Sequence, residues 1–253
     1  MIRAPLYLSY GMPKSGSTLA FELTRTMLEL AGVRQERIAP ELTQESNFVL
    51  RLDGEALKTL KSAAGETGGP VVIKTHSIQY PRAGKMLARG ALSGHAVCRD
   101  PRDMALSMLD AAREGRAWGK GPDGPFRNVP DTIKLLHACV RSFNKWAESP
   151  NVIPIHYERL AFDTESVARE IAAQLGIDVD IPKAIEIAVG SKFIQFNRGT
   201  SQRWKSEMDA ADARLLEAEF GDFIRTWCHD IPAAPKPRKP SRGLFARWFP
   251  RRT

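Results

Sequence analysis

The stretch LYLSYGMPKSGST, which runs from Leu6 to Thr18, decides the fold. Its first half, Leu6–Tyr10, has the apolar and aromatic content of a buried strand. A glycine-containing loop follows at Gly11–Gly16, and a helical pattern then begins at Ser17. In such a strand, loop and helix, the backbone N–H groups and the helix N-terminus favour a bound anion. The stretch therefore predicts a phosphate-binding loop, to which Ser17 and Thr18 add hydroxyl donors.

Three further apolar runs repeat this pattern of strand, polar turn and helix. The runs are Val71–Lys74, His95–Cys98 and Val152–His156. Such alternation is typical of a parallel sheet with helices on its faces. Helices are predicted near residues 17–31, 54–64, 101–113, 131–148, 163–175 and 207–220, and an irregular loop at Gly115–Pro130. The fold class predicted is therefore α/β, with a central parallel sheet flanked by helices.

Length and charge bound the organisation of the chain. At 253 residues and 43% hydrophobic content it can bury one substantial core, so a single domain is expected over residues 1–232. The net charge of +8 favours an anionic partner, which can be a nucleotide, a nucleic acid, an acidic polysaccharide or a membrane surface. A basic C-terminal tail, residues 233–253, is either solvated and disordered or a short interfacial helix on anionic lipid.

The cysteines and the N-terminus bear on localisation. The chain has 3 cysteines, without a CxxC pair or spacing typical of metal ligands, which favours a reducing compartment and suggests no metal site. The apolar run before Gly11 is too short for a signal peptide or a membrane span. We expect a cytoplasmic protein, with peripheral contact of the tail at the inner membrane surface.

The loop departs from the Walker A pattern of nucleoside-triphosphate enzymes. That pattern, GxxxxGK[ST], places a lysine directly after the second glycine, whereas Ser17 follows Gly16 here and Lys14 lies inside the loop. A P-loop nucleotide kinase or NTPase would also have a magnesium-binding aspartate after an apolar strand. Val152–His156 is followed by Tyr157 instead, which argues against this alternative.

The segment PKSGST, Pro13–Thr18, resembles the 5′-phosphosulfate loop of the cytosolic-type sulfotransferase family, usually written near PKSGTTW, with Leu19 in place of the tryptophan. The resemblance implies a P-loop-like fold. It also implies sulfuryl transfer from 3′-phosphoadenosine 5′-phosphosulfate (PAPS) to a hydroxyl or amine acceptor. Adenosine 3′,5′-bisphosphate (PAP) is then the product, and no metal is needed. The residues that would bind the donor here are Lys14, Ser15, Gly16, Ser17 and Thr18, with Lys14 stabilising the charge on the leaving group.

The end of the second apolar run, Lys74-Thr75-His76, resembles the KTH strand end of the same family. The carboxyl ends of parallel strands are where α/β sheets bind ligands. The resemblance implies that His76 is the general base for the acceptor hydroxyl, and that Lys74 orients and stabilises the transferred group. A neutral imidazole suits this role, because it accepts a proton near neutral pH. A non-catalytic protein that binds an anionic ligand or a membrane is the alternative, and it requires that His76 is dispensable.

The segment from Arg99 to Ser107 resembles the family's 3′-phosphate motif, R-[ND]-P-x-D-x-x-x-S. It implies that Arg99 and Ser107 bind the 3′-phosphate, the arginine as a fork of donors. The alternative is that Arg99 closes a structural ion pair with Asp100 or Asp103. Arg102 and Asp103 are interpreted as helix-start and salt-bridge residues.

Two later segments extend the resemblance. The segment after Val152–His156 resembles a strand ending in YEDL, which implies that Tyr157 lies near the adenine; a packed tyrosine is the alternative. Phe196–Lys205 resembles RKGxxGDWK, which implies that Arg198 and Gly199 clamp the 3′-phosphate. This segment departs from the pattern at Asn197 and at Gln202-Arg203.

The acceptor is left open by the motifs. The segments with least motif character, residues 34–52, 78–90 and 113–130, are expected to shape its pocket, and the Gly115–Pro130 loop is placed to cover it. Small-molecule, lipid and carbohydrate acceptors all remain possible, and the basic tail inclines the prediction towards a carbohydrate or lipid-linked one. No nucleic acid partner is expected.

Overall fold

The structure is a computed structural model, and it describes residues 4–67, 69–115, 126–191 and 201–228. These residues form a six-stranded sheet in the order β2-β3-β4-β1-β5-β6. Neighbouring strands are parallel, except for the antiparallel pair β2 and β3. The strands are β1 (Leu6–Gly11), β2 (Thr43–Gln44), β3 (Phe48–Val49), β4 (Val71–Thr75), β5 (Ser93–Cys98) and β6 (Val152–His156).

Helices connect the strands and follow the last of them. They are α1 (Ser17–Leu30), α2 (Gly54–Gly65), α3 (Pro81–Ala88), α4 (Pro101–Arg113), α5 (Val129–Ala147), α6 (Tyr157–Phe162), α7 (Thr164–Leu175), α8 (Ile181–Val189), α9 (Trp204–Glu207) and α10 (Ala210–Trp227), with a 3₁₀ turn at Glu45–Asn47. None of the helices in the described ranges is long and apolar enough to cross a membrane.

The sheet separates two buried apolar clusters, because successive side chains of a strand point to opposite faces. In β1, Leu6 and Leu8 belong to one cluster, to which α2, α3, α4, α5 and α10 contribute. Tyr7 belongs to the other, which includes residues of α1, α7 and α8. Helices therefore cover both faces, and the predicted α/β fold with a central, mostly parallel sheet is confirmed.

The four predicted strands are all present, but several helix boundaries differ from the predictions. Helix α5 begins at Val129, so the predicted Gly115–Pro130 loop is too long at its end. The cause is a capping box, in which Asn128 and Asp131 each bond the backbone amide of the other. The last helix starts at Ala210 rather than at residue 207, because Asp209 caps it by accepting from the amide of Ala211.

The central position of β1 fixes where the site lies. Tyr10 pairs with Thr75 of β4, and Gly11 pairs with Val97 of β5. Because these strands are parallel, the loops that follow them emerge at one edge of the sheet. The phosphate loop, the Lys74-Thr75-His76 end and Arg99 are thereby brought to the same edge. Residues 229–253, which include the predicted basic tail, lie outside the described residues.

Candidate active site at the strand ends

The phosphate loop is a tight turn that ends on a left-handed glycine. Gly16 has φ 82° and caps α1, and its carbonyl oxygen accepts from the amides of Leu19 and Ala20 at 2.9 and 3.3 Å. The amides of Ser17 and Thr18 precede these first intrahelical donors, so they stay available at the helix N-terminus. A Cβ on Gly11 would lie 2.4 Å from Cβ of Ser17. Only a glycine fits there, and the loop can hold an anion against the first turn of α1.

The Ser15 hydroxyl is used inside the loop. Its Oγ donates to the carbonyl oxygen of Met12 at 2.6 Å and lies 3.3 Å from that of Val97, while its amide also donates to Met12 at 3.2 Å. Ser15 thus fastens the loop to itself and to β5. Ser15 was among the residues predicted to bind the donor, and in the structure its hydroxyl stabilises the shape of the loop.

Lys74 crosses from β4 to the first turn of α1. Its ammonium nitrogen donates to Oγ1 of Thr18 at 2.7 Å and lies 5.7 Å from the ring centroid of Phe48. Burial lowers the pKa of Lys74 to about 8, although the charge of Glu22 opposes the shift. A half-desolvated ammonium beside a phosphate loop is a strong electrostatic partner for an anion.

His76 lies against the same loop and has a defined tautomer. Its Nδ1 is 2.6 Å from the carbonyl oxygen of Gly11. A carbonyl only accepts, so Nδ1 carries the proton and Nε2 presents a lone pair. Burial, together with the charge of Lys74, lowers the pKa of His76 to about 4, although the bond to Gly11 opposes the shift. The imidazole is therefore neutral near pH 7 and able to accept a proton.

Arg99 connects the phosphate loop to the start of α4. Its guanidinium donates to the carbonyl oxygen of Lys14 at 3.3 Å, pairs with Asp103 at 3.4 Å, and lies over the ring of Tyr157 at 4.0 Å. Tyr157 packs on the loop in turn, since a Cβ on Gly16 would lie 3.0 Å from its ring. The ion pair weighed as an alternative is present, and it is made with Asp103. The same geometry places the donor fork at the loop.

The acidic residues at the start of α4 make contacts within the fold, and Arg102 and Asp103 form the helix-start and ion-pair contacts expected of them. Asp100 accepts from the amide of Arg102 at 2.9 Å and pairs with its guanidinium at 2.6 Å. Asp103 is fully buried, and burial raises its pKa although the charge of Arg99 and the amide of Trp204 oppose the shift. Ser107 is buried one helical turn after Asp103, on the face of α4 that Arg99 reaches.

The segment that starts at Ser201 is held by three carboxylates, two of them buried, that the sequence patterns did not connect to it. Arg203 pairs with Asp110 at 2.8 Å, and the amide of Trp204 donates to Asp103 at 3.0 Å. Ser201 donates to Glu158 at 2.8 Å. These bonds fix the segment that follows Arg198 and Gly199 against α4 and α6. Arg198 and Gly199 themselves lie outside the described residues.

Glu158 has a second partner, since its Oε2 is 2.6 Å from Nδ1 of His156. The same ring nitrogen accepts from the amide of Glu158 at 3.4 Å, as the N-terminal cap of α6. Burial would raise the pKa of Glu158, but the contacts with His156 and Ser201 lower it overall. The carboxylate is thus engaged in holding the chain. Across the described parts of the chain, no group of His, Cys, Asp and Glu is arranged to hold a metal ion.

Comparison with known proteins shows the family and the fold of the chain. Residues 7–227 match the model of a family described as "Sulfotransferase domain". A mouse sulfotransferase complexed with PAP is 17% identical, with a TM-score of 0.55, over 87% of this chain and 84% of that one. A retinol dehydratase in complex with retinol and PAP is 15% identical, with a TM-score of 0.57, over 92% and 84%. At such identities the structural likeness shows the fold. No curated protein matches the sequence.

Proposed function

The chain belongs to the sulfotransferase domain family, as the match over residues 7–227 shows, and we propose that it transfers a sulfuryl group from PAPS to a hydroxyl or amine acceptor. Three features support PAPS as donor. The loop at Gly11–Gly16 is built for an anion, a second cation-lined position lies at Arg99, and the similar solved structures hold PAP.

The observation that carries the proposal is the bond between His76 and Gly11. Nδ1 of His76 donates to the loop carbonyl at 2.6 Å, so Nε2 is the ring nitrogen that can accept a proton. The bond also fixes the imidazole beside the loop that would hold the sulfuryl group. In the proposed reaction His76 takes the proton of the acceptor hydroxyl. Loss of this proton makes the acceptor oxygen a stronger nucleophile.

PAPS supplies a sulfuryl group on a good leaving group. Amides and cationic side chains at the loop stabilise the negative charge around that group. The first-turn amides of Ser17 and Thr18 face the anion. Lys74, held at Thr18 by a 2.7 Å bond, orients the transferred group. Lys14 balances the negative charge that develops on the 5′-phosphate. Fixed cations of this kind lower the barrier because they are in place before the reaction begins.

Binding of the 3′-phosphate would distinguish PAPS from ATP. Arg99 supplies the donor fork, Ser107 a hydroxyl on the same face of α4, and Arg198 and Gly199 the closing clamp. The guanidinium of Arg99 lies over one face of the Tyr157 ring, 4.0 Å from its centroid. Tyr157 would therefore contact the adenine with its ring edge. Arg99 would exchange part of its present contact with Asp103 for the phosphate.

A transfer assay tests the proposal. Purified protein is incubated with ³⁵S-labelled PAPS and a panel of phenols, sterols and neutral oligosaccharides, as wild type, as His76→Asn and as His137→Asn. His137 is the matched control, because it is an exposed histidine paired with Glu219 on the surface. We expect transfer by the wild type and by His137→Asn, and a loss of about 10²–10⁴ in His76→Asn. Equal turnover in all three proteins would show that His76 is not the base.

We also propose that the protein is cytoplasmic and that residues 233–253 touch anionic membranes, with a lipid-linked or carbohydrate acceptor within reach. The support is the charge of the tail, which has lysines and arginines between Pro235 and Arg252 and no acidic residue. Co-sedimentation with phosphatidylserine vesicles, with and without residues 233–253, tests the contact. The proposal would be contradicted if the protein without the tail still bound the vesicles, or if the full chain did not bind them.

A further inference from the structure

A basic groove lies between α2 and α3, and its lining shares no residue with the donor site. Its walls carry Lys61 on α2, Arg82 and Lys85 on α3, and Arg89 directly after α3, and its lining includes Leu57 and Met86. We call it the α2–α3 groove. It encloses a volume of about 590 Å³, which is within the usual range for a small-ligand site, about 300–1,000 Å³.

The positions of the cations follow from helix geometry. Arg82 and Lys85 are spaced i and i+3, so they share one face of α3, and Arg89 is the residue that ends the helix. Leu57 and Lys61 share a face of α2 in the same way. At 1.5 Å per residue, Arg82 and Arg89 are about 10 Å apart along the helix axis. Two walls therefore present positive charge over the length of a disaccharide or of a molecule with several phosphates.

These cations lack carboxylate partners in the described part of the chain. No salt bridge joins Lys61, Arg82, Lys85 or Arg89 to an acidic residue there, and no carboxylate lines the groove. Arg51, near the start of α2, is in contrast paired with Asp53 at 3.0 Å. Four exposed cations that converge on one concavity repel one another, and an anionic ligand would relieve that repulsion.

The groove also has an apolar part beside its cationic side chains. Leu57 is fully buried, Met86 is half-buried, and the long stems of lysine and arginine can pack along a ligand while their charged ends reach outward. Gly54 widens one end of the groove, since a Cβ there would already meet Cδ of Arg82 at 3.5 Å. A flat lipid surface does not use a concavity of this kind.

We propose that the α2–α3 groove is a second anion-binding site, for a soluble ligand that carries two or more sulfate or phosphate groups within about 10 Å. Lysine and arginine side chains from both walls bind the charged groups, and the carbon skeleton of the ligand lies on the half-buried Met86. The groove shares no residue with the proposed donor site, so this proposal stands or falls independently of PAPS as donor.

Calorimetry on the full chain tests the site with three probes: a heparin tetrasaccharide, inositol hexakisphosphate and phosphatidylserine vesicles. The groove variant is Arg82→Gln/Lys85→Gln/Arg89→Gln. The control is Arg141→Gln/Lys183→Gln/Arg214→Gln, which removes the same charge from exposed positions elsewhere. Both variants keep the basic tail, so the tail's contribution is common to all. Thermal unfolding and PAP binding are measured on both variants, to show that the fold and the donor site are intact.

We expect the wild type and the control variant to bind at least one soluble probe equally, and the groove variant to bind it about tenfold more weakly. Preference for the tetrasaccharide would identify a sulfated sugar, and preference for inositol hexakisphosphate a phosphorylated ligand. Equal weakening in both variants would show that the attraction is only net charge, and would overturn the site. Binding of vesicles alone, or of no probe, would overturn it as well.

Discussion

The guanidinium of Arg99 donates to the carbonyl oxygen of Lys14, 85 positions earlier in the chain, at 3.3 Å. Lys14 has φ 67°, a left-handed conformation that costs a non-glycine residue about 1–2 kcal/mol. Arg99 therefore helps hold the loop in a shape that it would not adopt alone. Since Arg99 also meets Asp103 and Tyr157, one side chain couples the proposed 5′ and 3′ halves of the donor site.

Replacing Arg99 by alanine should weaken PAP binding strongly. A charged hydrogen-bond partner is lost and the loop at Lys14 is less well held, so the dissociation constant should rise about 30- to 100-fold. Calorimetric titration measures it. Arg159→Ala, which removes an exposed ion pair with Glu170, should leave the affinity unchanged; an unchanged affinity in Arg99→Ala as well would remove Arg99 from the donor site.

A pair of glycine substitutions separates backbone strain from the contact with Tyr157. Gly16 and Gly32 have φ of 82° and 80°, but only at Gly16 would a Cβ meet the ring, at 3.0 Å; at Gly32 nothing lies within 4 Å. Both alanine variants should lose about 1 kcal/mol of unfolding free energy from the left-handed conformation. Gly16→Ala should lose more, and should also bind PAP less well. Identical unfolding midpoints in urea for the two variants would show that the contact with the ring is unimportant.

The pH profile of kcat/KM should have two limbs, because it reports groups of the free enzyme. His76, with its pKa lowered to about 4, must be neutral, so the rate should fall only as the pH drops towards that value. Lys74, with its pKa lowered to about 8, must be charged, so the rate should fall as the pH rises beyond it. In Lys74→Arg the alkaline limb should move above pH 10, since arginine stays protonated. An alkaline limb that does not move would assign it to another group.

Stability should also fall in mild acid because of His95. This side chain is fully buried, its Nε2 is 2.8 Å from Oγ of Ser9, and burial lowers its pKa to about 3. In the unfolded chain this histidine takes up a proton near pH 6.5. Its contribution to the free energy of unfolding is therefore complete above that pH and is lost as the pH falls towards 3.

Unfolding in urea at pH 7 and pH 5 measures this loss. The wild type should lose about 2 kcal/mol more between the two pH values than His95→Gln, which has no titratable group at that position. His76 titrates in both proteins and cancels in the comparison. An equal loss in the two proteins would mean that the pKa of His95 is not lowered in the folded state.

Local pattern predicted most of the fold. The strand at Val152–His156 was predicted at its observed bounds, and so was the helix at 101–113, because Asp100 and Pro101 mark its start. Helix α3 was missed although Pro81 stands at its first position, since a helix of 8 residues shows too little periodicity. Strands β2 and β3, of 2 residues each, have no pattern to recognise.

The position of a site residue could be predicted where a single motif contains it, but contacts between distant segments could not. Lys74 and His76 could be placed from a strand end, and Arg99 from its motif. The bond between Arg203 and Asp110 joins residues 93 positions apart, and either charge alone resembles an ordinary surface residue. The tautomer of His76 depends on a carbonyl oxygen in another loop, which no sequence pattern specifies. Such pairings are products of the tertiary fold.

The most direct test of the account is calorimetric titration of the wild type with PAP, and in parallel with ADP and with ATP and magnesium. The account predicts tight binding of PAP, at least tenfold tighter than ADP, because only PAP places a phosphate at Arg99 and Ser107. A preference for ATP with magnesium, or no binding of PAP, would contradict PAPS as the donor.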